Sequence, residues 1–306
     1  MINTLFTFTN KSTKTPIVNR KNLFFLLSFL IYTSTTLFGI DKPAYKIFNS
    51  EGKEVDFDQM MKSISKNQVV LFGELHNNPI AHWLQLEITM SLFEEKKQNL
   101  VLGAEMFEAD DQLIINEYLK GKMSDKTFAD EAKLWPNYTT DYKPLMDFAK
   151  NNGLSFICAN VPRRYANMVY KSGLEMLDSL DQLAKTYIAP LPILYDSSLT
   201  CYKEIVANAG GHGGENLPKS QAVKDATMAW FIYKALTKDK QVVHFNGSYH
   251  SDNEEGIAWY LKQYLSSVTI GSISTKEQKD IKELDDQNKG TGDFIIVIPE
   301  NMTKTY

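Results

Sequence analysis

The sequence predicts an α/β protein in which a mostly parallel sheet is flanked by helices, and three observations lead to this fold class. Short apolar runs recur along the chain, and most of them end directly in polar residues. Amphipathic segments with apolar residues three and four positions apart separate several of these runs. Short apolar runs without alternation are typical of strands buried on both faces, as parallel strands covered by helices are.

The first predicted unit is a strand followed by a helix. Val69 to Phe72 form an apolar run that ends at Gly73, and Pro79 stands where the helix begins. The apolar residues that follow recur at helical spacing: Ile80, Trp83, Leu84, Ile88 and Leu92. Proline in a first turn and a one-sided apolar stripe predict a helix that packs against the sheet.

Further strands are predicted at later apolar runs, namely Leu100 to Ala104, Leu154 to Ala159, Val242 to Asn246, Val268 to Ile273 and Phe294 to Ile298. Residues 163–236 depart from this alternation. They combine a helical pattern with Pro190, Pro192 and the glycine-rich stretch from Gly210 to Gly214. We therefore expect a helical insertion or lid over about 163–236, with a mobile loop at its glycines.

The N-terminus has the pattern of a signal peptide. Arg20 and Lys21 precede an apolar run that begins at Leu23 and ends in small and polar residues near Gly39. This pattern predicts export, with residues 1–40 as signal peptide and 41–306 as a single domain. The alternative is an N-terminal membrane anchor, so the expected location is the periplasm or a membrane surface. No cysteine lies at the end of the run to accept a lipid.

Composition narrows the class of partner. The 306 residues are 43% hydrophobic, which is sufficient for a substantial core. The 33 basic and 37 acidic residues are interspersed and give a net charge of -4. Because nucleic-acid-binding proteins concentrate positive charge on one face or segment, we expect no nucleic acid partner.

The candidate functional residues are the polar side chains that follow the predicted strands. In parallel sheets, ligands bind beyond the carboxyl ends of the strands, where several loops converge. The residues at these places are Glu74, His76, Glu105, Asn160, Arg163, Ser248 and His250. Glu74, His76, Glu105 and His250 have the chemistry to hold a divalent metal or to act as general base and acid. Alternatively, Glu74 and His76 only cap the following helix and bind each other.

The chain resembles the ChaN-like haem-binding uptake proteins. The resemblance lies in ordered blocks between about residues 69 and 256: Leu71 to Asn78, Leu102 to Phe107, Tyr118 to Gly121, Tyr142 to Leu145, Ala159 to Arg163, Lys224 to Ala229 and Gly247 to His250. It implies a fold similar to erythromycin esterases and Tiki-type metalloproteases. Those relatives use matching Glu and His positions for hydrolysis.

The resemblance also implies a ligand and a partner. Proteins of this family are expected to bind haem at a homodimer interface during bacterial iron acquisition, with a tyrosine oxygen on ferric iron and a histidine near the propionates. A haem receptor or transporter would be a further partner. Tyrosinate suits ferric haem because it is a hard anionic ligand.

The choice of haem-binding residues follows position in the chain. Tyr202 and Tyr195 lie in the predicted insertion near His212, which has glycines on both sides, and we rank Tyr202 first and Tyr195 second. Tyr165 is third, because it adjoins two arginines. Those arginines, Arg163 and Arg164, are candidates for pairing with propionates.

Two functions follow from these residues. The leading hypothesis is a haem-binding protein of haem and iron uptake that needs no catalytic turnover. The rival is a metal-dependent hydrolase of esterase or peptidase type, with Glu74, His76, Glu105 and His250 in its cleft.

Overall fold

An eight-stranded sheet forms the centre of the computed structural model, which describes residues 42–210, 214–237 and 239–306. The strands are β1 (Lys46–Asn49), β2 (Glu54–Val55), β3 (Val69–Glu74), β4 (Leu100–Glu108), β5 (Ser155–Asn160), β6 (Gln241–Gly247), β7 (Ile270–Gln278) and β8 (Phe294–Pro299). Their order across the sheet is β2-β1-β8-β7-β3-β6-β4-β5. The six strands from β8 to β5 are parallel, whereas β1 runs antiparallel to β2 and β8.

Ten α-helices lie within the described residues. They are α1 (Phe57–Ile64), α2 (Pro79–Lys96), α3 (Gln112–Leu119), α4 (Asp125–Glu131), α5 (Lys143–Asn152), α6 (Arg163–Ser172), α7 (Gln182–Lys185), α8 (Thr200–Asn208), α9 (Leu217–Ala235) and α10 (Ile257–Tyr264). A π-helical turn at Tyr138–Tyr142 precedes α5. This arrangement confirms the predicted α/β class with a mostly parallel sheet. No helix in the described ranges has both the length and the apolar character required to span a bilayer.

Local sequence explains where the helix after β3 begins. The Asn78 side chain accepts hydrogen bonds from the backbone N–H groups of Ile80 and Ala81, at 3.1 and 3.3 Å. Pro79 occupies the first turn, where a backbone N–H group has no acceptor within the helix, so the lack of this group in proline costs no hydrogen bond. The β3 strand and the cap of α2 therefore fix the two ends of the loop that carries His76.

The core has two layers because successive strand residues point to opposite faces. Val70 and Phe72 pack with α1, α2, α3 and α5 on one face. Val69 and Leu71 pack with α6, α9 and α10 on the other. All four of these strand side chains are fully buried. The continuous apolar run in β3 is thus the result of helices on both faces.

Residues 163–236 connect β5 to β6, and their described part contains α6, α7, α8 and α9. Their longest helix, α9, contributes to the second layer through Val223, Ala226, Ala229 and Ile232, which are buried. This part of the segment therefore covers the sheet itself. Ala44–Tyr306 form one compact unit, whereas the predicted signal peptide and His212 lie outside the described residues.

The two-layer core makes a testable distinction between two leucines. Leu84 on α2 has no exposed surface, whereas Leu113 on α3 is 68% exposed. We expect Leu84→Ala to lower the free energy of unfolding by about 2–5 kcal/mol, because it leaves a cavity. Leu113→Ala, the matched control, should change it by less than about 0.5 kcal/mol. Urea denaturation measures both, and equal losses would contradict the assignment of α2 to the core.

Candidate functional site

The candidate site lies at the carboxyl ends of three neighbouring strands, β3, β6 and β4. Glu74 ends β3 and is in register with Gly247, which ends β6. On the other side of β6, Ala104 of β4 is in register with Phe245, so that Glu105 follows at the same level. Parallel pairing thus brings together residues that are far apart in sequence, as is usual at the carboxyl edge of such sheets.

Glu74 orients His76. One carboxylate oxygen, Oε1, lies 2.8 Å from His76 Nδ1 and accepts a hydrogen bond of 2.6 Å from the Tyr142 hydroxyl. The other, Oε2, accepts a hydrogen bond from the Gln85 amide. The backbone carbonyl of His76 accepts a hydrogen bond of 2.9 Å from Asn137 Nδ2. The ring and the loop of His76 are therefore both fixed by buried polar groups.

The free nitrogen of His76 points toward the end of β6. A Cβ atom added at Gly247 would lie 2.7 Å from His76 Nε2 and 3.5 Å from Glu105 Oε2, so glycine is the residue that allows this approach. Burial alone would lower the pKa of His76. The hydrogen bond to Glu74 and the charges of Glu105 and Glu74 offset this effect, so the pKa is raised above its ordinary value.

Glu105 and His250 form a buried pair. Glu105 Oε1 lies 3.1 Å from His250 Nε2, and Glu105 Oε2 accepts a hydrogen bond of 2.8 Å from the Gly247 backbone N–H. Burial favours the neutral acid, but the charge of His250 and the hydrogen bond from its ring outweigh it, and the pKa of Glu105 is lowered. Glu105 is therefore an anion held by two donors.

His250 is bound at both ring nitrogens. Its Nδ1 is hydrogen bonded to Asp225 on α9, and the other oxygen of Asp225 accepts a hydrogen bond of 2.9 Å from the Tyr202 hydroxyl. Burial lowers the pKa of His250, but Glu105 and Asp225 together raise it to about 9. His250 is consequently an imidazolium at neutral pH, with both N–H groups directed at carboxylates.

An open cleft of about 880 Å³ adjoins these groups. Its apolar wall consists of Leu134, Trp135, Pro136, Val161, Ala166, Tyr170 and Leu217. Its polar wall consists of His76, Glu105, Glu108, Lys133, Asn160, Arg163, Asn167, Ser220 and Lys224. The cleft therefore has one flank suited to a flat apolar ligand and another suited to charged groups.

Comparison with known proteins agrees with this architecture. A family model described as "Haem-binding uptake, Tiki superfamily, ChaN" matches residues 60–261, which include every residue of the cleft walls. The chain belongs to this family. A solved structure of ChaN from Campylobacter jejuni, described as showing cofacial haem binding, is similar to this family member with a TM-score of 0.61 and 17% identity. The similarity covers 83% of this chain and 96% of that one, and it supports the fold.

Two further similarities were found. A mutant of erythromycin esterase EreC in its open conformation has a TM-score of 0.45 and 11% identity, over 84% of this chain and 83% of the esterase. The protein RETICULATA-RELATED 5, chloroplastic, of Arabidopsis thaliana is 24% identical over 153 residues. That match covers 48% of this ChaN-family chain and spans about a fifth (20%) of the length of the plant protein.

The structure brings Glu74, His76, Glu105 and His250 together, as their positions after the strands predicted. Their arrangement counts against the predicted metal site. Both nitrogens of His250 carry hydrogen bonds to carboxylates, so neither offers a lone pair to a metal. Across the described ranges, no group of three or more His, Cys, Asp or Glu side chains is arranged to hold a metal ion.

The tyrosines ranked from sequence are not equivalent in the structure. Tyr202 is only 1% exposed, and burial together with the charge of Asp225 raises the pKa of its hydroxyl, so it is a poor source of tyrosinate. Tyr195 is half-buried against Tyr202, with ring centroids 5.5 Å apart, and burial raises its pKa as well. Tyr165 is buried under Arg164, whose guanidinium lies 4.4 Å from the ring centroid.

The arginines also differ. Arg164 Nη1 lies 2.6 Å from Asp110 Oδ2 and is committed to that ion pair, which lies at the surface. Arg163, at the start of α6, lines the cleft. Of the two arginines predicted to pair with propionates, Arg163 lines the cleft and Arg164 does not.

Three residues of the hydrogen-bond network are not among the candidates that the sequence predicts: Asp225, Tyr142 and Gln85. None of them follows a strand directly, because Asp225 and Gln85 lie within helices and Tyr142 ends a π-helical turn. Lys224-Asp225-Ala226 and Tyr142-Lys143-Pro144 did belong to the blocks of the family resemblance. The sequence does contain a signal for Asp225: an acid at helical spacing from the apolar residues Ala222, Met228 and Ala229.

The raised pKa of His250 predicts a pH dependence of stability. Because protonation is favoured in the folded state, its stabilising contribution is complete below the ordinary pKa of 6.5 and is lost as pH rises toward about 9. The loss over this range should be at most about 3 kcal/mol. Denaturation between pH 6 and pH 9.5 measures it, and His250→Gln should abolish this dependence.

The histidine ring signals in nuclear magnetic resonance provide an internal control. Burial lowers the pKa of His244 to about 4. We therefore expect one histidine to remain neutral at pH 5 and another to remain protonated at pH 8. A His250 signal that titrates near 6.5 would contradict the buried ion pair.

Proposed function

We propose that this protein binds ferric haem during haem or iron uptake and that the cleft holds the haem. The observation that carries the proposal is that the match to the haem-binding uptake family includes every residue of the cleft walls. The proposal extends to an exported, dimeric protein that exchanges haem with a receptor or transporter. The N-terminal segment, with Arg20 and Lys21 before an apolar run, supports export.

The cleft has the features that a haem requires. Its volume of about 880 Å³ lies within the range of pockets for ligands of this size. Leu134, Trp135 and Leu217 offer apolar surface for a porphyrin ring, while the polar wall carries cations suited to its carboxylates. The residues present therefore fit the group, which would supply a ferric centre able to accept one protein oxygen.

Tyr170 is the tyrosine best placed to bind the iron. It lies on α6, lines the cleft and is 42% exposed. Tyr202 and Tyr165, in contrast, are buried. A ligand must present its oxygen at the cleft, and tyrosinate suits ferric haem. We therefore place Tyr170 before Tyr195, Tyr165 and Tyr202 as the haem ligand.

The exposed position of Tyr170 also bears on the proposed dimer. A haem bound at this edge of the cleft would keep one side open to solvent, because Tyr170 and Arg163 are exposed. A second copy of the chain would cover that side. Light scattering with and without haem tests this part of the proposal.

Titration with ferric haem tests the ligand. Tyr170→Phe should remove the absorption bands of a tyrosinate-bound ferric haem and weaken binding about tenfold or more, because the iron loses its protein oxygen. Tyr195→Phe is the matched control and should keep both spectrum and affinity. Tyr202→Phe should keep the spectrum but lower the free energy of unfolding by about 1–3 kcal/mol, since Asp225 loses a buried donor.

Two results would count against this assignment. Loss of the tyrosinate bands in Tyr195→Phe instead would transfer the ligand role to Tyr195. Absence of saturable haem binding by the unmodified protein would overturn the proposed function.

A second candidate function is hydrolysis of an ester or amide, and the Glu74–His76 pair favours it. The carboxylate at Nδ1 leaves the Nε2 atom directed at the cleft beside Glu105. A histidine oriented in this way can remove a proton from water, and the adjacent carboxylic groups can assist the transfer. This version requires no metal, in keeping with the hydrogen-bonded state of His250.

Ester hydrolysis by the haem-free protein tests this candidate. Under it, turnover of nitrophenyl esters should fall about 10²- to 10⁴-fold in His76→Asn, because the general base is lost, and should not change with EDTA. His250→Gln serves to test the metal version, in which EDTA would abolish turnover. Hydrolysis no faster than in buffer would leave haem binding as the function of the cleft.

A further inference from the structure

Two cations on the cleft wall lack a carboxylate partner. Within the part of the chain that the structure describes, Arg163 and Lys224 form no ion pair within 4.0 Å, although both line the cleft. The neighbouring Lys133 differs, because it pairs with Glu108 at 3.0 Å and with Asp110 at 2.7 Å. Lys133 is thus held in ion pairs, whereas Arg163 has none within the described residues and Lys224 acts on Glu105 through its charge alone, without a contact.

The two carboxylates of the polar wall are already in ion pairs with other cations. Glu105 is paired with His250, and Glu108 is paired with Lys133. Of the side chains on this wall, three are cations, Lys133, Arg163 and Lys224, and two are carboxylates, so the wall has an excess of one positive charge in a protein whose net charge is -4. Lys224 is half-buried, so its charge is partly removed from water, and an anion that enters the cleft would stabilise it.

The two cations lie on adjoining helices. On α6, Arg163, Ala166 and Tyr170 share the face that lines the cleft. On α9, Ser220 lines the cleft four residues before Lys224, and its hydroxyl donates a hydrogen bond of 2.9 Å to the Ala166 carbonyl. Seven residues of helix separate Arg163 from Tyr170, a rise of about 10 Å. That is of the order of the distance between a haem iron and its carboxylate oxygens.

We propose that Arg163 and Lys224 bind the two propionates of a haem whose iron is held by Tyr170, and that the cleft thereby selects tetrapyrroles with free carboxylates. This inference rests on the proposed function. Two unpaired cations match two carboxylates, with arginine able to bind in a bidentate manner and lysine acting as a compact charge. Arg164 takes no part, because Asp110 holds it.

The experiment compares ferric haem with its dimethyl ester, both dispersed in the same detergent. The ester keeps the ring and the iron but lacks the two charges. We expect the unmodified protein to bind haem about tenfold or more tightly than the ester, with an affinity that falls as salt increases. The spectrum of the bound iron should be the same for both ligands, because Tyr170 is unchanged.

Variants assign the effect to the two cations. Lys224→Met and Arg163→Met should each weaken binding of haem about tenfold and leave binding of the ester unchanged. Lys219→Met is the matched control on α9, since Lys219 Nζ contacts Asn216 Oδ1 at 2.9 Å and does not line the cleft. If Lys224→Met does not fold, Lys224→Gln replaces it. Fluorescence of metal-free protoporphyrin gives the same comparison without iron ligation.

Each outcome bears on one of the two proposals. Equal affinities for haem and its ester, with no effect of Lys224→Met or Arg163→Met, would overturn the inference and leave haem binding intact. Failure of the unmodified protein to bind either haem or protoporphyrin would overturn the proposed function, and the inference with it. A loss shared by Lys219→Met would indicate general electrostatic attraction and would also overturn the inference.

Discussion

The ion pair between Glu105 and His250 is the interaction on which the site depends. It joins β4 to the turn after β6, and the Gly247 N–H holds the second oxygen of Glu105 in place. Removing His250 would leave the buried carboxylates Glu105 and Asp225 without the cation that they share, which is strongly destabilising in protein interiors. Because β6 lies between β3 and β4 in the sheet, this pair also fixes the strand end that His76 approaches. The positions of Glu105 and Gly247 beside His76 are therefore set by the fold itself.

The inner and outer parts of the cleft have different physical constraints. On the inner side, called the floor here, Glu105 lines the cleft, and the buried Glu74 and His250 support the floor without lining it; each oxygen or nitrogen of these three side chains already has a partner. At the mouth, Arg163 and Tyr170 are exposed on α6. Side chains at the mouth can adapt to a ligand at small cost, whereas a change at the floor disturbs the core. The exposed side chains are therefore the ones suited to bind a large ligand. The buried side chains form a rigid base beneath them.

The fold class and the residues around the cleft floor are both predictable from the sequence for the same physical reason. A parallel sheet gathers whatever follows its strands, so position after an apolar run was enough to select Glu74, His76, Glu105 and His250. For the haem ligand, by contrast, proximity to His212 in sequence favours Tyr202. The chain folds α8 against α9, so the hydroxyl of Tyr202 meets Asp225 inside the protein. Proximity in sequence does not show which side of a helix is buried against a neighbouring helix.

The state of His250 narrows what the floor can do chemically. An imidazolium between Asp225 and Glu105 has no free lone pair and is stabilised against losing its proton until about pH 9. In this hydrogen-bonded state it holds Glu105 and Asp225 in place rather than presenting a ring nitrogen to the cleft. Of the four side chains predicted for the cleft, His76 alone directs an uncommitted nitrogen at the ligand space. His76 is therefore the one of these four side chains that can exchange a proton with a molecule in the cleft.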